Sequence, residues 1–257
     1  MREIFFSKKN LTGVNLDHAL RHDSRTSYYL KDRIWNWMAT QKQKETNQFI
    51  ELIIVVIAIV IPFLLKPEYV WVYEVITLSY LFIERKIRRR SWKDIGVRTK
   101  GIIVDIKSNF PIIFLVSFCV QFAVIVGSYM IFSPLFLRLD ERVAYLQTHF
   151  GSFAPAAFFL WFIALATLIE ELVFRGLIQE RVSWFLNDYA GIIIGSLVLS
   201  VIHYSQGETI AVFLDLCFVF FDSVFYGLIY MRSRNVLVSW TAHLSADLIG
   251  LYLLWSL

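Results

Sequence analysis

The stretch FAPAAFFLWFIALATLIEELVFR, residues 153–175, decides the fold. From Phe153 to Ile169 it carries no charge, and then two glutamates and an arginine arrive in quick succession. A continuous apolar run of this kind lacks the polar face that a helix in water needs, so it reads as a membrane span. The pattern repeats on both sides. Runs at 188–205, 209–231 and 235–256 follow it, and runs at about Phe49–Leu65, Tyr69–Ile83 and Phe110–Leu137 precede it. Together they predict an all-α, multi-pass transmembrane bundle of about seven spans.

Composition agrees with lipid as the solvent. The chain is 57% hydrophobic and 18% charged, against about half and about a quarter in soluble domains. The net charge of +4 would suit nucleic acid in a soluble protein. Here the basic residues gather beside apolar runs, which excludes nucleic acid as a partner and points to positive-inside topology and the lipid bilayer. Arg85 to Lys100 holds eight Lys/Arg and one acid, Asp94, and should face the cytoplasm. Residues 1–48 hold nine Lys/Arg against five acids and should lie on the same side, with two spans between.

Three parts result: a cytoplasmic basic and aromatic segment at 1–48, the first spans at 49–150, and a helical core at 151–257. The connection 138–152 should face outward. Proline is expected only at span ends and connections (Pro62, Pro67, Pro111, Pro134, Pro155), and Cys119 and Cys217 as small buried hydrophobes. No apolar stretch of signal-peptide type opens the chain, so the N-terminus should be retained.

Hydrocarbon filters polar residues severely, a central charge costing roughly 2.5–3.5 kcal/mol on insertion scales. Three groups pass the filter. Glu170 and Glu171 are adjacent, and Glu171 stands four residues before Arg175, the favourable order for a helical ion pair. Glu170 points about 100° away. Arg175 therefore holds one carboxylate ionised, and the other is free to act as a base on water. The same pattern also occurs at ordinary charged helix ends. His203 shares a helical face with Ser196 and Ser200; a hydrogen-bonded packing histidine fits there equally. Ser239, His243 and Asp247 follow at steps of four. Asp247 could fix the tautomer of His243, or the stripe could serve interhelical hydrogen bonding. A carboxylate base and two imidazoles from three spans are a minimal set for amide hydrolysis, with water rather than a side chain as nucleophile.

The order Glu170-Glu171-x-x-x-Arg175, a histidine in the next span, then His243-x-x-x-Asp247 resembles the CAAX-protease and bacteriocin-processing family, also called Abi, which includes the Ras-converting prenyl endopeptidases. The resemblance covers about 153–250. It implies an intramembrane endopeptidase without a cofactor, acting on a membrane-associated peptide or lipidated protein. By the same resemblance Glu170 and His203 activate the water, Glu171 and Arg175 form the supporting ion pair, and His243 and Asp247 stabilise the oxyanion. Two positions depart from the pattern. Leu199 stands where the family usually has Phe. Asp247 stands where the prenyl endopeptidases have Asn, and an ionised Asp would repel an oxyanion, so Asp247 is either protonated or only orients His243.

Two alternatives stay open at this point. Zinc held by Glu170, His203 and His243 is the nearest variant, although the H-E-x-x-H spacing is lacking. A non-catalytic membrane adaptor of a sensor kinase or transport partner is the other. Asp215 and Asp222, seven apart, could line the cavity or be neutralised by cytoplasmic-side arginines.

Overall fold

The computed structural model describes residues 43, 46–58, 60, 70–146 and 156–257. The expected cytoplasmic segment 1–48 lies almost wholly outside the described residues. The chain divides into two compact units at Ile54 and Val55. The helix α1, Thr46–Ala58, spans that division, and all that follows concerns the second unit.

Every regular element among the described residues is helical. After α1 come α2 (Val70–Ile87), α3 (Ile102–Ile131), α4 (Ser133–Leu146), α5 (Ala156–Val173), α6 (Asp188–Ile202), α7 (Thr209–Ser233) and α8 (Val236–Ser256). Among the described residues α3, α7 and α8 are long and apolar enough to cross a bilayer, while α1 and α6 are shorter apolar helices. Side chains mark the starts. Asn187 accepts from the Ala190 amide, Glu208 from Ile210 and Ala211, and Asn235 from Leu237, each satisfying amides that the first turn leaves open.

The distribution of polarity is the reverse of a soluble fold. Glu171, Arg175, Ser196, Asp215, Ser223, Asn235 and Ser239 are fully buried, while Met130, Ile131, Phe213 and Tyr252 are exposed. Such an arrangement is stable only where the outer solvent is hydrocarbon. On α3 the exposed rings of Phe110, Phe114, Phe118 and Phe122 stack in series with centroids 5.5–6.1 Å apart.

Helix α8 packs against α3, α5 and α7. Ala242 and Ala246 are fully buried beside Ile113, Val116, Tyr226, Ile229 and Val238, and small residues there let the helices approach closely. At the other end the basic connection folds back onto the bundle. Ile95, in a single 3₁₀ turn (Lys93–Ile95), is fully buried with Leu81, Leu172, Leu177, Tyr230 and Val236. Gly96 follows at φ +83°, and its carbonyl accepts from the Val236 amide at 2.7 Å. A Cβ at Gly96 would stand 2.9 Å from the Tyr230 ring.

Three expectations need correcting. The run Phe110–Leu137 is not one span: α3 ends at Ile131, Phe132 leaves helical geometry, and α4 occupies the first part of the supposed outward connection. Pro111 lies inside α3 rather than at its end, and a π-turn over Leu115–Val120 follows within one turn. The extra residue of the π-turn absorbs the register lost where proline cannot donate. Cys119 is exposed and Cys217 only partly buried, because apolarity in a lipid-facing helix does not imply an inward position. Arg181 is buried in an ion pair with Glu84.

Candidate active site

Helix α5 does not stop at its glutamates. It passes through a π-turn, Phe174–Gln179, into a short helical end, Glu180–Phe185. The widened turn begins three residues after Glu171 and carries Arg175 fully buried. π-Turns inside α-helices are frequent at functional sites because they redirect side chains without ending the helix.

Glu171 is at the centre. Its Oε2 accepts from Arg175 Nε at 3.4 Å and from Ser239 Oγ, and its Oε1 lies 3.0 Å from His243 Nδ1. Arg175 in turn donates to Ser223 Oγ at 2.7 Å. The carboxylate therefore ties α5 to α8, and its guanidinium partner ties α5 to α7. A buried ion pair holds only when its remaining hydrogen-bonding capacity is met, and here Ser239, His243 and Ser223 meet much of it.

The second carboxylate is placed differently. The Glu171 side chain is 1% exposed, whereas that of Glu170 is 17% exposed, with Oε2 3.7 Å from His243 Nε2. An ionised carboxylate only accepts, so the contact with Glu171 puts the ring proton of His243 on Nδ1 and turns Nε2 toward Glu170. Asp247 stands 3.9 Å from the same Nε2 and is 43% exposed. The group nearest Nδ1, and hence the one that selects the tautomer, is Glu171 rather than Asp247. The His243 ring is further fixed by Tyr226, stacked at 4.6 Å between centroids and 18° between planes.

His203 stands at the end of its own helix, α6. It caps α6 with φ −89° and ψ 0°, and its Nδ1 donates to the Leu199 carbonyl at 2.9 Å. Leu199, the departure from the family pattern, acts there through its backbone. Ser200 bonds the Leu216 carbonyl of α7 at 2.7 Å. Among the described residues no three His, Cys, Asp or Glu side chains gather closely enough to hold a metal ion.

Sequence reasoning did not single out Ser223, Tyr226, Gln121 or Arg138. Asp222 accepts from Gln121 of α3 at 2.8 Å, and Asp215 pairs with Arg138 of α4 at 2.7 Å; the arginine comes from the connection expected to face outward, not from the cytoplasmic side. The signal was present on α7 itself, where Asp215, Asp222, Ser223 and Tyr226 interrupt an apolar helix and are all buried. Gln121 and Arg138 reach the site region only through folding and had no local signature.

No curated protein and no solved structure matches the chain. A family model described as type II CAAX prenyl endopeptidase Rce1-like matches residues 152–249, the segment from just before α5 to near the end of α8. All six expected site residues fall within it. The segment 152–249 thus carries an Rce1-like type II CAAX prenyl endopeptidase match, consistent with the CAAX-protease and bacteriocin-processing family named from the sequence motifs.

Proposed function

We propose that this protein hydrolyses a peptide bond of a membrane-associated or lipidated peptide by attack of water, without a metal ion. One observation carries the reading: of two adjacent glutamates, Glu171 is consumed by Arg175, Ser239 and His243, while Glu170 remains partly open beside His243 Nε2.

In this mechanism water binds against Glu170, with His203 of the neighbouring helix as second acceptor. Glu170 takes a proton as the water oxygen attacks the carbonyl carbon, and the carbonyl oxygen becomes the oxyanion. His243, held through Nδ1 by Glu171, presents Nε2 to that oxygen when Nε2 is protonated, and Asp247 orients the ring. Collapse of the tetrahedral intermediate expels the amine, which receives its proton from Glu170. Preorganised donors of this kind typically contribute a few kcal/mol each to the barrier. The protein would sit in a cell membrane as a bundle of about seven spans with its N-terminus in the cytoplasm. Bacteriocin leaders, pheromone precursors and self-immunity are the candidate settings in a bacterium.

The deciding experiment compares membrane-associated peptides from cells expressing the wild type or Glu170→Gln at matched levels. New termini that occur only with the wild type establish proteolysis and identify the substrate. Identical profiles, with a cellular phenotype that survives the substitution, would transfer the case to a non-catalytic adaptor. Cleavage that persists after exhaustive treatment with a chelator supports the metal-free route, and loss restored by zinc overturns it.

A further inference from the structure

Arg138 has no place in the chemistry above, yet among the described residues its side chain makes four hydrogen bonds. It is 7% exposed. Nε donates to Asp215 Oδ2 at 2.7 Å, Nη1 to the Gln206 carbonyl at 3.2 Å, and Nη2 to the Ser205 carbonyl at 3.0 Å and Ser205 Oγ at 2.8 Å. Three of these four acceptors belong to the connection between α6 and α7. That connection opens with His203, the residue that caps α6, and ends at Glu208, which caps α7.

We propose that Arg138 is a positioning residue that sets His203 by clamping the connection behind it. His203 and Tyr204 donate their amides back to Ser200 and Val201, which leaves the carbonyls of Ser205 and Gln206 to an outside donor. A guanidinium suits that task because its donors diverge in a fixed fork. Asp215, fully buried one helix over, fixes the fork against α7. The fit leaves no slack, since a Cβ at Gly207 would lie 2.7 Å from Arg138 Nη1. With Nδ1 committed to the Leu199 carbonyl, the direction of the other ring nitrogen follows the last turn of α6 and the chain beyond it. The clamp comes from α4, outside the main catalytic helices, so α4 acts on the site through one side chain.

The role given to His203 rests on the proteolytic reading, but its placement is observable independently. The full chain, labelled at histidine Cε1 and purified in detergent, contains five histidines, and His203→Gln assigns the relevant NMR signal. Arg138→Gln should shift or split the His203 signal and leave that of His243 in place. On a fluorogenic farnesylated CAAX-type peptide it should lower kcat about 10- to 100-fold with KM within about twofold, the scale of a misplacement near 1 Å. Arg138→Lys keeps a charge opposite Asp215 but loses the fork, and should resemble Arg138→Gln. A His203 signal unmoved in both variants, or a lysine variant indistinguishable from wild type, overturns the proposal. A wild type that leaves the peptide intact while His203 still responds to Arg138 keeps the clamp and counts against a prenylated CAAX peptide as the substrate instead.

Discussion

Glu171 and Glu84 are both buried and both held by arginine, and they serve opposite ends. At Glu171 a single guanidinium, a hydroxyl and an imidazole converge on one carboxylate, and a neighbouring carboxylate, Glu170, is left over. At Glu84 the surplus is cationic. Its carboxylate meets Arg181, Arg88 at 2.8 Å and Arg90 at 3.8 Å, while Arg90 also reaches Glu180 at 3.1 Å. Arg181 lies 3.9 Å above the Trp184 ring, and Arg90 5.2 Å from it. One region concentrates spare negative charge inside the bundle. The other gathers positive charge where the basic connection folds back. A buried ion pair is weak support for stability in itself; what each region does follows from the sign of the charge it leaves unneutralised.

The sharpest way to break this contrast is at the glutamates of α5. Glu170→Gln should lower peptide hydrolysis by on the order of 10²–10⁴-fold, the usual contribution of a general base, with little change in thermal stability. Glu171→Gln leaves Arg175 buried without its carboxylate and should cost about 3–5 kcal/mol of stability as well as activity. Paired thermal melts and turnover assays separate the two. Equal losses of stability would mean that the left-over carboxylate is structural after all.

Glu84→Gln tests the other region. Three arginines lose a charged acceptor, and the expected cost is about 1.5–3 kcal/mol, the range for hydrogen bonds to charged groups. Turnover per folded molecule should stay at the wild-type value. A fall in turnover without a fall in folded fraction would show that the basic end reaches the site, for example through the π-turn that lies between Glu171 and Arg181.

The sequence made much of this contrast legible, and for physical reasons. Charges in hydrocarbon are few, so Glu170, Glu171, Arg175, His243 and Asp247 stood out against apolar neighbours. Helical spacing then gave the pairing of Glu171 with Arg175 and the stripe Ser239, His243, Asp247. Arg181 and Glu84 were invisible as partners because Arg181 looks like ordinary positive-inside charge, Glu84 like the polar end of an apolar run, and they are 97 residues apart. Likewise Arg138 resembled a polar connection, since its acceptors are backbone carbonyls that any sequence could supply. The break at Phe132 escaped notice because hydropathy records apolar length and is blind to backbone direction.

The smallest expected effect lies at the basic end, where Arg234 pairs with Asp188 at 2.5 Å with both side chains well exposed. Arg234 also closes α7 in the left-handed region, at φ +50° and ψ +38°. An exposed ion pair is worth about 0–1 kcal/mol, and left-handed backbone costs a non-glycine residue roughly 1–2 kcal/mol. The backbone term is the larger, so Arg234→Gly should leave stability unchanged or raise it slightly, while Arg234→Ala should lower it by less than about 1 kcal/mol. Equilibrium unfolding in detergent at low and high salt checks both. If the glycine variant is clearly destabilised and the loss vanishes in high salt, the basic end is held by its collective charge, and the assignment of anchoring to Glu84 alone is too narrow.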